Sequence, residues 1–214
     1  MSLKLYFHPF ASFCQKVLIA LYENETPFEP HLIDLGDPAS RAAFLKVWPI
    51  GKFPVLFDSK RSRTIPESTI IIEYLAENYP GRLALVPRDA DGALETRLRD
   101  RFFDLYVDEP MQKIVTDRLR PPGRNDAHGV ELARAQLRTA YGILDEHLQS
   151  KTWACGEAFT MADCAAAPSL FYANLVEPFG SFTNVAAYDQ RLKARPSFAR
   201  VVKEAEPYFK LFPR

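Results

Sequence analysis

The segment 51–68 constrains this chain more than any other: Gly51-Lys52-Phe53-Pro54-Val55-Leu56-Phe57, a polar turn, then Ile65-Pro66-Glu67-Ser68. The apolar run after Pro54 is too short for a helix, so the proline opens a strand, where a missing N–H does least harm. A cis Phe53–Pro54 bond would turn the backbone N–H and C=O of Phe53 outward, toward an extended ligand. Glu67 and Ser68 then precede the helical run 69–75, whose first-turn N–H groups lack partners and attract anions. A carboxylate, a hydroxyl and free amides beside a strand edge suit a small peptide carrying both an amine and carboxylates. Taken singly, Glu67 reads as a first-turn acid and Ser68 as a cap; together, downstream of this proline, they favour binding.

Around that segment the pattern is regular. Residues 3–7 alternate as a strand, His8-Pro9-Phe10 breaks it, and residues 12–24 form a helix with Val17, Leu18, Ala20 and Leu21 on its apolar face. A strand over 28–35, a helix over 38–47 closed by Trp48-Pro49, strands over 55–57 and 63–65, and a helix over 67–78 follow. This βαβαββα order is that of the thioredoxin-like fold, with the ligand above the first helix's N-terminus. Tyr79-Pro80-Gly81 stops the last helix, and Pro87 with Asp89-Ala90-Asp91-Gly92 reads as a linker, giving an α/β domain over 1–82 and an all-α helical-bundle domain over 90–214.

Strand patterns are missing from the second part. Residues 93–119 read as one long helix, with Leu98, Phe102, Leu105, Tyr106 and Val115 on apolar spacings and Arg97, Arg99, Asp100, Arg101 and Asp104 on polar faces. Pro110 in its middle predicts a kink or a break. A loop over 120–126 leads to an antiparallel helix over 127–148. Thr160 and Asp163 have the spacing of an N-cap and an acidic N3 residue for a helix reaching about residue 175, and Phe159 is placed to staple onto its first turn. Helices over 185–194 and 197–209 complete the bundle.

Charge and cysteine usage remove several function classes. Lys plus Arg and Asp plus Glu both total 27, without a long block of either sign, so neither a nucleic-acid nor an anionic-membrane footprint is present. No apolar run approaches the roughly 18 residues of a membrane span, and the first residues lack a signal-peptide pattern, which predicts a cytoplasmic protein. Cys14, Cys155 and Cys164 are odd in number and widely spaced, so they predict reduced thiols without a disulfide framework or zinc site. His8, His31, His128 and His147 share no metal spacing, and no metal is expected.

In Phe53-Pro54 and Glu67-Ser68 the chain resembles the glutathione transferases, over nearly its whole length. In that family a cis-proline bonds the cysteinyl unit of glutathione, and a Glu/Gln-Ser pair opening the next helix holds the γ-glutamyl end. The resemblance implies that Phe53, Pro54, Glu67 and Ser68 bind glutathione as co-substrate. Lys52, next to this clamp, is placed to pair with its glycyl carboxylate, and Arg41 in the second helix to help in the same way. The resemblance also implies that Thr160 and Asp163 are a buried capping device needed for folding, and that the chain is a homodimer pairing the first domain of one subunit with the second of the other.

The activating group is ambiguous. The mouth of the first helix reads Ala11-Ser12-Phe13-Cys14, whereas redox relatives have Cys-x-x-Cys there and serine-type transferases Ser-x-x-Cys. Ala11 excludes a two-cysteine mechanism and removes the hydroxyl from its usual position. Ser12, one residue on, and Tyr6, at the end of the first strand, are the two candidates to favour the thiolate; Ser12 reads equally as an N-cap, Tyr6 as a packed strand residue and Cys14 as a core residue. An apolar subsite for a hydrophobic electrophile falls to Phe10, Tyr106, Met111 and Phe171. The expected activity is addition of the glutathione thiolate to a small electrophile. A glutathione-dependent peroxidase, isomerase or dehalogenase is the near alternative, and a non-catalytic glutathione-binding or dimerisation protein the distant one.

Overall fold

The computed structural model describes residues 2–213. Four strands, β1 (Leu3–Phe7), β2 (Glu29–Leu32), β3 (Val55–Asp58) and β4 (Arg63–Pro66), form one mixed sheet in the order β2-β1-β3-β4. The first pair is parallel and the other two antiparallel, the arrangement of a thioredoxin-like fold. β2 is shorter than its sequence run predicts because it is an exposed edge with one neighbour, and at Asp34–Gly36 the chain turns, the Gly36 N–H donating to Asp34 Oδ1 at 2.8 Å.

Helix α1 (Ser12–Glu23) is the hub of the molecule. Cys14, Val17, Leu18, Ile19 and Leu21 are all fully buried, and each aliphatic side chain removed from water contributes about 1.5–3 kcal/mol. Its N-cap is Ala11, which has no side chain to cap with, so Ser12 is the first helical residue and does not act as the cap. At the far end the buried carboxylate of Glu23 accepts from Arg195 Nε and Nη2 at 2.7 and 2.8 Å. Helices α2 (Pro38–Val47) and α3 (Ser68–Asn78) complete this part of the chain.

The long helix expected over 93–119 is three pieces: α4 (Ala90–Phe102), a π-helical stretch (Phe103–Asp108) and α5 (Glu109–Asp117). Asp89, expected in a linker, caps α4 by accepting from the Gly92 N–H at 2.6 Å. Pro110 falls in the first turn of α5, where an N–H is not needed, and the π turn before it absorbs the disruption without ending the helix. Part of the sequence reading is inverted. Leu98, Leu105 and Tyr106 face outward, whereas Asp100, Asp104 and Asp108, spaced four residues apart, turn into the core.

Helices α6 (Ala127–His147), α7 (Met161–Val176), α8 (Thr183–Lys193) and α9 (Pro196–Ala205) follow, then a 3-10 turn at Glu206–Leu211. Asp163 accepts from the N–H groups of Thr160 and Ala154, both at 2.8 Å, and from the Tyr188 hydroxyl at 2.6 Å. Phe159 is buried, with its ring against Trp153. Among the described residues, no helix is long and apolar enough to cross a membrane. Replacing Asp163 with Ala strands three buried donors, each costing about 1–3 kcal/mol. Asp163→Ala is expected to lose roughly 3–5 kcal/mol of stability in a urea titration, and a loss under 1 kcal/mol would contradict the structural role.

Candidate functional site

Two adjoining cavities lie where the sheet meets the helices. The first, of about 490 Å³, is lined by Lys52, Phe53, Pro54, Glu67 and Ser68 together with Thr69, Arg97, Asp100, Arg101 and Asp104. Five of the six residues expected at glutathione therefore meet at one cavity. The Phe53–Pro54 bond is cis. Glu67 has a φ of 70°, a left-handed conformation that a non-glycine residue rarely adopts and that clusters at binding sites. It is exposed, while Ser68 beside it is buried. The first α3 backbone bond accepted at Glu67 comes from the Ile71 N–H, so the amides of Ser68, Thr69 and Ile70 precede the helical ladder and make a local anion site.

The wall opposite Glu67 carries charge. Lys16 Nζ, fully buried, lies 2.7 Å from Asp100 and 2.8 Å from Asp104 and donates to Thr69 Oγ1 at 2.9 Å. Burial raises the Asp104 carboxyl above its ordinary value, with Lys16 opposing the shift. Arg101 pairs with the same aspartates and donates to Thr69. Arg97 holds Glu73 through two bonds at 2.8 and 3.0 Å.

The second cavity, of about 400 Å³, shares Phe13, Lys52 and Phe53 with the first and is otherwise mostly apolar: Phe10, Ala11, Leu35, Met111, Val115, Tyr172 and Phe212, with Ser12, Gln112 and Thr116 as its polar groups. The backbone N–H groups of Ser12 and Phe13 precede the α1 ladder, whose first donors are Cys14 and Gln15. Phe10 is held by the Tyr172 hydroxyl, which donates to its carbonyl at 3.0 Å, while Gln15 Nε2 donates to the Pro9 carbonyl and to the Tyr172 hydroxyl. Cys14 is fully buried behind this loop, and burial pushes its thiol up.

Several expected residues fall outside both cavities. Tyr6 lies on the face of β1 that packs under α2, edge-on to His31 at 4.8 Å and tilted against Phe44 at 6.1 Å; alternation along a strand turns it away from the cavities. Tyr106 points outward from the π turn and touches Phe102. Phe171 packs among Tyr172, Phe198 and Phe209, one position from the residue that does line the wall. Arg41 on α2 lines neither cavity.

Asp108 was not visible as a site residue. The Ser12 hydroxyl donates to its Oδ2 at 3.2 Å and Gln112 Nε2 donates to the same oxygen at 2.6 Å, while its buried Oδ1 has no partner among the described residues. Burial pushes its carboxyl up to about 7, with Asp104 adding and Ser12 opposing. The four-residue spacing of Asp100, Asp104 and Asp108 was the available signal. Between about pH 4, where an unfolded aspartate titrates, and its folded value of about 7, the folded chain binds more protons than the unfolded one. Stability therefore falls as pH rises through that window, and the loss is complete above it. Asp108→Asn is expected to flatten that slope and to be more stable at about pH 8, by on the order of 2 kcal/mol; an unchanged slope in pH-resolved urea melts would contradict it.

Comparison with known proteins agrees with this geometry. Residues 5–83 match the glutathione S-transferase N-terminal domain and residues 127–204 the C-terminal domain. The chain is 30% identical over 196 residues, 88% of its length and 82% of the relative's, to a probable cytosolic glutathione S-transferase DHAR1 of Oryza sativa subsp. japonica. It is 33% identical over 148 residues to a glutathione S-transferase-like protein, LUC7, of a Fusarium species, spanning 69% of this chain and 64% of that one. A crystal structure of a Methylobacillus flagellatus glutathione S-transferase with glutathione bound superposes with a TM-score of 0.84 at 25% identity, covering 94% of this chain and 98% of that one. With both domains matched in order, this chain belongs to the glutathione S-transferase family.

Proposed function

We propose that this protein is a glutathione transferase: it binds glutathione in the polar cavity and delivers the thiolate to a small hydrophobic electrophile in the apolar one. The observation that carries the reading is the convergence of Phe53, Pro54, Glu67 and Ser68 on one cavity that opens, past Phe13 and Lys52, into a second lined by Phe10 and Met111. Glu67, Ser68 and the free α3 amides suit the γ-glutamyl amine and carboxylate, and Lys52 suits the glycyl carboxylate. The sulfur would then lie near the N-terminus of α1, where the Ser12 hydroxyl and the Ser12 and Phe13 amides are the groups able to favour its charged form.

The division into a binding domain over 1–82 and a helical domain over 90–214 fits this reading. So does a homodimer, since Ile70, Leu94, Leu98 and Leu105 leave an apolar surface exposed on α3, α4 and the π turn. A second reading, glutathione binding without turnover, is favoured by two observations: Ala11 stands at the usual hydroxyl position, and the nearest hydroxyl, Ser12, is engaged by Asp108.

Because Glu67 is exposed, Glu67→Ala should weaken glutathione binding about tenfold or more, as expected for one charge-assisted hydrogen bond, while leaving stability nearly unchanged. Calorimetry giving equal affinities would reject the clamp. For the thiolate, Ser12→Ala should raise the pKa of bound glutathione and lower turnover with an electrophile, while Tyr6→Phe should be nearly silent. Thiolate absorbance titrated across pH separates these outcomes, and a wild type that binds glutathione without forming thiolate would select the non-catalytic reading.

A further inference from the structure

We propose that Asp108 receives the thiol proton of glutathione by way of Ser12, as a positioning residue that sets the direction of the Ser12 hydroxyl and holds the proton released when the thiolate forms. The inference rests on the reading of the two cavities as a glutathione site. Ser12 lines the apolar cavity at the first turn of α1 and donates to Asp108 Oδ2 at 3.2 Å. A hydroxyl has one proton and two lone pairs, and an ionised carboxylate only accepts. The Ser12 proton is therefore committed to Asp108, and its oxygen offers a sulfur only lone pairs. So held, Ser12 accepts from the S–H, and once its own proton has passed to Asp108 the hydroxyl carries the former thiol proton and donates to the thiolate.

The step balances without a co-reactant. The S–H bond breaks, its electron pair stays on sulfur, and its proton goes to Ser12 Oγ. In concert the Ser12 O–H bond breaks and that proton passes to Asp108 Oδ2, so the negative charge moves from the carboxylate to the sulfur. After the sulfur has bonded to the electrophile, the proton returns along the same path to the leaving group or to solvent.

Four observations support the assignment. Asp108 is 1% exposed, so solvent does not compete for its proton. Its Oδ1 has no partner among the described residues, an arrangement unfavourable to a permanent carboxylate. Gln112, which also lines the apolar cavity, donates to the same Oδ2 at 2.6 Å and fixes the carboxyl against Ser12. Its carboxyl, raised to about 7, lies within about two units of a cysteine thiol near 8.5. The charged groups that set this balance are Lys16 on α1, which opposes the shift, and Asp104 one turn earlier, which adds to it; Tyr172 on α7 stays neutral, its hydroxyl pushed up by burial with Asp108 adding. The free amides of Ser12 and Phe13 favour the sulfur's charge over the remaining gap.

The deciding measurement needs no variant. Glutathione is titrated into the wild type at about pH 8, where most of Asp108 is ionised before glutathione binds, in two buffers of different ionisation enthalpy. Thiolate is followed by its ultraviolet absorbance. Transfer to Asp108 predicts close to no proton released to the buffer per thiolate formed, whereas stabilisation by amides or by a donating Ser12 predicts close to one. Asp108→Asn, which cannot accept the proton, should keep its affinity for glutathione but form about thirtyfold less thiolate at neutral pH, the limit set by a free thiol that is a few per cent ionised. Its kcat/KM with a chromogenic halogenated nitroarene should fall by the same factor and lose the acid limb near pH 7. A full proton released by the wild type, or an unchanged pH profile in Asp108→Asn, overturns the inference and leaves glutathione binding intact. No wild-type binding of glutathione overturns the functional reading and this inference with it.

Discussion

The buried ammonium of Lys16 holds this molecule together at its most sensitive point. It lies in contact with Asp100 and Asp104 and donates to Thr69, so a single charge joins α1, α3, α4 and the π turn. Desolvating three charges is expensive, and such a cluster is tolerable only when geometry and further hydrogen bonds are good. Here Arg101 supplies a second positive charge at the rim, and Thr69 Oγ1 donates to Asp100 at 2.7 Å. The cluster forms one wall of the polar cavity, so the energy that docks the helical part onto the sheet also shapes the site.

Asp108 follows from the same arrangement. It is the third acid of the stripe, one turn beyond the two that face Lys16, and has no cation in hydrogen-bond contact among the described residues. Its partners are the neutral donors Ser12 and Gln112. A carboxyl in that position is costly to ionise, which explains why its affinity for protons rises. The chain keeps a destabilising group beside the mouth of α1, where the proposed function puts the sulfur.

The loop at residues 8–11 is fixed from the opposite side. Gln15 and Tyr172 bridge α1 and α7 and hold the carbonyls of Pro9 and Phe10, with Phe212 stacked on Tyr172 and edge-on to Phe10. Ala11 contributes only backbone. Rigidity in this loop therefore comes from residues far along the chain, and it positions Phe10 and Ser12 on one cavity.

How much of this was legible in the sequence depended on distance along the chain. The βαβαββα order, the proline-led strand with its Glu67-Ser68 helix start, and the Thr160–Asp163 cap are local devices, each set by backbone chemistry within some twenty residues, and they could be read directly. The phase of the helix after Ala90 could not, because the π turn at Phe103–Asp108 rotates the side chains that follow and because Lys16, about ninety positions earlier, draws Asp100 and Asp104 inward. Tyr106 and Phe171 were misplaced for that kind of reason: apolar periodicity identifies a buried face but not which cavity or neighbour the face meets. Tyr6 was separated from Ser12 only by which side of the sheet it faces. Sequence alone determined the family, the fold and the residues that meet at the polar cavity, because those rest on short-range patterns. Tertiary structure alone decided that Ser12 meets Asp108, because a hydrogen bond between residues 96 positions apart exists only once the helices have packed.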